Sequence, residues 1–404
     1  MTTKTNMLSV AQALDHMLSR VRTLSATETV ATTDALGRIL ASPQYSQLHV
    51  PPQDNTQMDG YAVRAADCAS GHARLRISQR IPAGIVGQPL EPGTAARIFT
   101  GALIPQGADA VVMQEQCESE GDAVVIRHQP AAGEWIRRQG EDIRVGATIL
   151  EAGTVLRAQE MGLAASVGLA TLPVLRRPKV AIFFTGDELA MPGDTLRPGA
   201  IYNSNRYTLT GLLQGLGCDI TDLGIVPDNL AATRAALRQA AEGHDLIITS
   251  GGVSVGEEDH VKPAVEAEGQ LAMWQIAMKP GKPLAFGEVG SAFFIGLPGN
   301  PVSSFVTFLL FVRPFLLRLQ GVSRVAPQTY SMRADFDWSK PDRRNEFLRA
   351  RINADGGLDL FPNQSSGVLS SAVWGDGLID LPPSQTVVLG QMVSFIPFSS
   401  LGVV

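Results

Sequence analysis

The sequence predicts a multidomain protein of the α/β plus β class, and three observations carry that reading. The chain has 404 residues, which at roughly 150 residues per domain makes about three domains and allows a large buried core. From Lys179 to about Gln320, apolar β-type runs alternate with helical patterns, the order of a parallel sheet with helices on both faces. On either side of that region the chain falls largely into short alternating runs broken by Gly and Pro, the pattern of β modules.

Taken in order, "SVAQALDHMLSRV" from Ser9 to Val21 spaces apolar residues for a helix behind a serine N-cap, and "TTDALGRILA" reads as a second short helix. Between Arg74 and Gly146, runs such as "RLRISQRI" and "AVVIRH" alternate as strands. "LRAQEMGLAASVGL" then returns to helix, so the β module reads as an insertion within a helical unit. In the α/β stretch, "KVAIFF", "DITDLGIV", "HDLIIT" and "FFIGL" are strands, while "RYTLTGLLQGLG", "NLAATRAALRQAA" and "VSSFVTFLLFVRPFLLRL" are helices. After Val325 the runs "TYSMRADF", "EFLRARI", "GLIDL" and "QMVSFIPF" make a small terminal β domain.

Composition narrows the function classes. The formal charge is -6, with 33 basic against 39 acidic residues. No basic run is present to track a nucleic-acid backbone, so no nucleic-acid partner is expected. Three widely separated cysteines, Cys68, Cys117 and Cys218, offer neither a disulfide framework nor a zinc motif. The N-terminus has no secretory apolar core, and the run "FVTFLLFV" falls short of the roughly 20 residues that span a bilayer. A cytoplasmic protein without a membrane partner is expected.

Three strands of the α/β stretch end in unusual loops: "FFTGDELAMPGD", "LIITSGGVSVGEED" and "FFIGLPGNPVSS". In a parallel sheet the carboxyl ends of the strands share one edge, so these loops converge on one crevice. Glycine lets backbone approach a ligand closely, and N–H groups at helix starts favour an anion, so a phosphate or oxyanion fits. Each loop taken alone is equally well a chain reversal. Acids follow the same strands: Asp187 and Glu188, Asp228, and Glu257, Glu258 and Asp259. Hard oxygen ligands beside phosphate suit Mg²⁺, although Asp228 and Asp259 also stand where helix N-caps stand. In "MKPGKPLAFG", Lys279 and Lys282 flank a stiff turn that suits an oxyanion, or are simply solvated.

The motifs "DNTQMDGYAVRAAD", "RIFTGALIPQGADAVVMQE", "TGDEL", "IYNSN", "TSGGVSVG", "MKPGKP", "GLPGNPVSS" and "DGLIDLP" stand in this order from residue 54 to 382. On these motifs the chain resembles the molybdopterin molybdenumtransferase family, and the likeness covers nearly the whole chain. The resemblance implies an enzyme that cleaves adenylylated molybdopterin with release of AMP, in the presence of Mg²⁺, and inserts molybdate at the dithiolene. It implies four domains: a discontinuous helical domain (1-46 and 147-177), an inserted β module (47-146), a molybdopterin-binding-type α/β domain with a parallel sheet (178-326) and a C-terminal β barrel-like domain (327-404). A homodimer is expected, with a molybdopterin adenylyltransferase and recipient molybdoenzymes as further partners.

Carried over by motif, Asp59 of "MDGYAV", Thr100 of "FTG", Glu188, Asp228 and Asp259 match the family's active cleft, with Asp142 in "GEDIRVG" beside them. Glu188, Asp228 and Asp259 are the expected metal ligands. The diphosphate loops supply Thr185, Gly186, Ser250, Gly251, Gly252 and Ser254. Molybdate is expected at Lys279, Lys282, the "PGNP" loop with Pro298, Asn300 and Pro301, and at Arg349, Ser370 and Ser371. The chain departs from the family where Asp-Tyr-Asp commonly follows "SGGVSVG" and it has Glu257, Glu258 and Asp259, and where it has Gln275 in place of a basic residue. Two other readings share the α/β domain type. A molybdopterin adenylyltransferase would load AMP, and a scaffold of the gephyrin type would not catalyse; the flanking β domains and "MDGYAV" favour the transferase.

Overall fold

A computed structural model of the chain describes residues 7–253 and 259–403. The sheet that organises it has six strands in the order Asp219–Val226, Lys179–Thr185, Leu246–Ser250, Ala292–Leu297, Pro283–Val289 and Gly269–Gln275. The first four are parallel. Pro283–Val289 runs antiparallel to both of its neighbours, so the sheet is mixed where the sequence predicts a parallel one. A tight turn at Gly290 makes that pairing, since consecutive antiparallel strands need only a hairpin. The parallel strands read as unbroken apolar runs because both of their faces are covered. Phe184, Ile248 and Ile295 meet one core, and Phe183, Ile247 and Phe294 meet another.

The helix Val10–Leu18 forms as its sequence predicts, with Ser9 and Gln12 capping each other. Its buried residues Ala13 and Met17 join the α/β core, so this helix belongs with the sheet and not with a separate helical unit. The remainder of the expected helical unit is largely β. Thr27–Ala31 pairs antiparallel with Thr171–Leu175, Gln44–Tyr45 pairs with Thr148–Leu150, and Ala158–Ser166 is its α-helix among the described residues. "TTDALGRILA" forms only a short 3₁₀ turn, Thr32–Asp34. Gly37 at a positive φ of 72° breaks the helical run there.

The inserted module is a six-stranded sheet ordered Ala110–Met113, Gly60–Val63, Thr94–Ile98, Ala73–Ile81, Ala123–Ile126 and Cys117–Glu120. At the chain's end, Leu358–Leu360, Asn345–Ile352, Gly377–Leu381, Met392–Pro397 and Tyr330–Arg333 pair in sequence. A bridge between Ala334 and Leu358 closes the ring into a small barrel. The apolar stretch Pro301–Leu319 is one helix long and apolar enough to cross a membrane, and most of it is buried. It forms the centre of the main core. A wide π turn at Phe308–Val312 precedes Pro314, whose ring nitrogen has no hydrogen to donate.

Candidate active site

The parallel strands end together: Thr185 stands in register with Val226, and Ser250 with Leu297. The loops that leave them enclose a cleft of about 830 Å³. Thr185, Gly186 and Glu188 come from the first loop and Asp228 from the second. Ser250, Gly251, Gly252 and Asp259 come from the third, and Pro298, Asn300 and Pro301 from the fourth. Lys279 and Lys282 line it as well.

One hydrogen-bond network ties the third and fourth loops to the helix Ser204–Gly215. Asn205, in the first turn of the helix Ser204–Gly215, donates to Ser250 Oγ at 2.8 Å and to the Gly299 carbonyl at 2.7 Å. Ser250 Oγ in turn donates to the Pro298 carbonyl at 2.9 Å. Gly251 and Gly252 fold the third loop over the end of the first strand at positive φ, 102° and 61°. A Cβ at Gly251 would lie 2.5 Å from the Thr185 carbonyl oxygen, so backbone contact itself requires glycine.

The floor of the cleft carries polar atoms that the fold leaves unpaired. Thr185 Oγ1, Asn203 Nδ2, Asn205 Oδ1 and Asp228 Oδ1 are buried and have no hydrogen-bond partner among the described residues. Buried polar groups are ordinarily satisfied, so four orphans in one cleft point to a polar ligand. Burial holds the Asp228 carboxyl above its ordinary range, and Asp187, Asp259 and Glu188 push in the same direction, against His260. Several acids thus share one end of the cleft, yet no group of three His, Cys, Asp or Glu among the described residues forms a metal cage.

The two lysines of the cleft differ. Lys279 Nζ pairs with Glu346 at 3.0 Å and with Asp342 at 3.4 Å. Lys282 is exposed and has no ion pair among the described residues.

The chain matches the family models for the MoeA N-terminal region (domains I and II) over residues 8–168, a probable molybdopterin binding domain over 181–318, and the MoeA C-terminal region (domain IV) over 331–398. A molybdopterin molybdenumtransferase of Haemophilus influenzae is 40% identical over 98% of this chain and 100% of its own length. The chain belongs to the molybdopterin molybdenumtransferase family. A molybdopterin molybdenumtransferase of Nostoc sp. is 36% identical over 94% of this chain and 90% of its own. The crystal structure of a molybdopterin biosynthesis moeA protein from Pyrococcus horikoshii superposes with a TM-score of 0.85 at 28% identity, covering 97% of this chain and 100% of that one.

Six of the residues carried over from the molybdopterin molybdenumtransferase family do not line this cleft. Asp59 and Thr100 sit together in the β module. Asp59 Oδ1 accepts from both the Thr100 amide and its hydroxyl, each at 2.8 Å. Those bonds hold the Asp59 carboxyl below its ordinary range. Asp142 lies beside Val50 and Glu141 in a different hollow. Arg349 is fully buried behind the wall, donating to Ser371 Oγ at 3.0 Å and to the carbonyls of Phe347 and Ser365, each at 3.2 Å. Burial pushes its guanidinium down to about 10. It therefore supports Ser365, which lines the cleft, and neither Ser371 nor Ser370 reaches the cleft itself. Ser254, with Glu257 and Glu258, lies outside the described residues.

Asn203, Asn205, Gln364, Ser365 and Arg344 also line the cleft, beyond the residues expected from the sequence. "IYNSN" carried a legible signal, because Asn203 caps its helix by accepting from the Arg206 amide.

Proposed function

We propose that this chain is a molybdopterin molybdenumtransferase that releases AMP from adenylylated molybdopterin and inserts molybdate at the dithiolene. The observation that carries the reading is the cleft at the strand ends, lined by acids and lysines, whose buried hydroxyl, amide and carboxylate atoms have no hydrogen-bond partner among the described residues. Gly251 and Gly252 bring backbone against the diphosphate, while Thr185, Asn203 and Asn205 supply polar contacts. Mg²⁺ fits the acidic end, because Asp228 Oδ1 is buried without a partner among the described residues and further carboxylates surround it. Asp228, Glu188 and Asp259 would hold the ion, which when bound neutralises charge on the diphosphate. Lys282, without an ion pair among the described residues, supplies positive charge for the oxyanion. Cleavage of the pyrophosphate bond by water yields AMP and molybdopterin, whose two thiols then bind the molybdenum of molybdate, their two protons leaving with one oxo group as water.

Asp59 and Thr100 enter from a second copy. They lie outside the cleft within one chain, and a two-fold dimer presents each such pair to the other subunit's cleft. The substrate comes from a molybdopterin adenylyltransferase, the product passes to recipient molybdoenzymes, and the setting is the cytoplasm. The reading is tested by incubating the protein with adenylylated molybdopterin, molybdate and Mg²⁺. AMP should accumulate, and the absence of AMP above a protein-free control would overturn it. The same assay with ATP and molybdopterin separates an adenylyltransferase, which would consume ATP.

A further inference from the structure

The lysine turn does not end with the α/β domain. Met278–Lys279 adds a parallel strand to the C-terminal barrel, with Met278 in register with Asn345 and Lys279 with Glu346. That register brings the Glu346 carboxylate to Lys279 Nζ at 3.0 Å. The Glu346 side chain is 2% exposed, and its second oxygen accepts from Trp338 Nε1 at 3.2 Å and from the Asp342 amide at 3.3 Å. Asp342, the other carboxylate on Lys279, also accepts from Arg344 Nη2 at 2.8 Å. Two buried or half-buried acids therefore serve two cations, Lys279 and Arg344, both of which line the cleft. Lys282 alone among the described cleft-lining cations keeps an uncompensated charge.

We infer that Glu346 sets the oxyanion affinity and selectivity of the lysine turn from the C-terminal domain. This rests on the reading of that turn as the molybdate subsite. Glu346 neutralises Lys279 while holding it, so Lys279 offers the cleft an oriented N–H and little net charge. The oxyanion is then held chiefly by the charge of Lys282. The buried carboxylate just behind Lys279 also repels any dianion in front of it. The arrangement suits a site that must release its oxyanion to the dithiolene and not retain it.

Charge and packing roles predict different outcomes. Glu346→Gln keeps the shape and an acceptor for Lys279 but deletes the negative charge. Its KM for molybdate should fall by about tenfold, with stronger inhibition by sulfate, while the KM for adenylylated molybdopterin stays within about twofold. Glu346→Asp keeps the charge and should keep the molybdate KM of the parent. A role in packing alone predicts that Asp and Gln both raise the two KM values together, and that result would overturn the inference, as would an unmoved molybdate KM in Glu346→Gln. Should Glu346→Gln fail to fold, Asp342→Asn removes the other carboxylate from the same lysine and must lower the molybdate KM likewise. Lys282→Ala separates the role of Glu346 from the subsite itself. A raised molybdate KM there with no effect of Glu346→Gln refutes only the role of Glu346, whereas no effect of Lys282→Ala refutes the subsite itself.

Discussion

Thr185→Val tests whether the cleft floor is kept polar for a ligand and not for the fold. The strand Lys179–Thr185 ends at this residue, which is 4% exposed, and its Oγ1 is buried with no hydrogen-bond partner among the described residues. A buried hydroxyl without a partner carries a desolvation penalty of about 1–3 kcal/mol. Valine has nearly the same shape and suits a strand end. Taking the low end of that range, because the atom borders an open cleft, the variant should be more stable by about 1 kcal/mol. For a domain of this size that is a rise in Tm of about 2–4 °C. Activity should move the opposite way. Loss of one neutral hydrogen bond to the substrate is worth about 1 kcal/mol, so the KM for adenylylated molybdopterin should rise about fivefold. The assay pairs calorimetry of the ligand-free protein with AMP-release kinetics. A lower Tm would show that the hydroxyl serves the fold, and a higher Tm with an unchanged KM would show that it serves nothing in the cleft; either refutes the reasoning.

Asn205→Ala should behave differently, because its amide donates at 2.8 and 2.7 Å to Ser250 and Gly299. Losing two such bonds should lower stability by about 2 kcal/mol and weaken substrate binding together, read as a Tm drop of several degrees and a raised KM. Asp228→Asn follows from linkage. The folded carboxyl is held above its ordinary value of 3.8 by burial and neighbouring acids, so the native state binds the proton more tightly than the unfolded state. Its ionisation therefore costs stability as pH rises through the window above 3.8, and stability returns as pH falls. The Asn variant should melt higher than the parent at neutral pH, with the gap closing toward pH 4, while AMP release falls and its Mg²⁺ requirement rises. A Tm at neutral pH equal to or below that of the parent would count against this account of Asp228.

The parallel strands and their three loops were legible because both signals are local. Unbroken apolar runs mark strands covered on both faces, and glycine directly after such a run marks a backbone that must bend sharply, as at Gly251 and Gly252. What depends on long-range pairing was not legible. The helix Val10–Leu18 has a clear periodicity, yet nothing in its own residues says that Ala13 and Met17 pack against the distant α/β core. The strand Pro283–Val289 has the composition of its parallel neighbours, and only the short turn after it betrays the reversal. Arg349 in an alternating strand reads as solvent-facing or anion-binding, whereas Ser371 and two carbonyls satisfy it inside the wall. Lys279 and Lys282 look equivalent in "MKPGKP". The difference between them comes from Glu346, 67 residues away.

The most direct test of the central claim, that the cleft at the strand ends is completed by the β module of a second copy, uses two variants mixed in one solution. Asp59→Asn disables the β-module contribution and Asp228→Asn the acidic part of the cleft, so each homodimer should release little AMP. A mixed dimer contains one site with both defects and one with neither. With random exchange and independent sites, AMP release should return to about a quarter of the parent rate. Confirmed heterodimers, identified by differently tagged chains, with no recovered AMP release would contradict the account and place every required group within a single subunit.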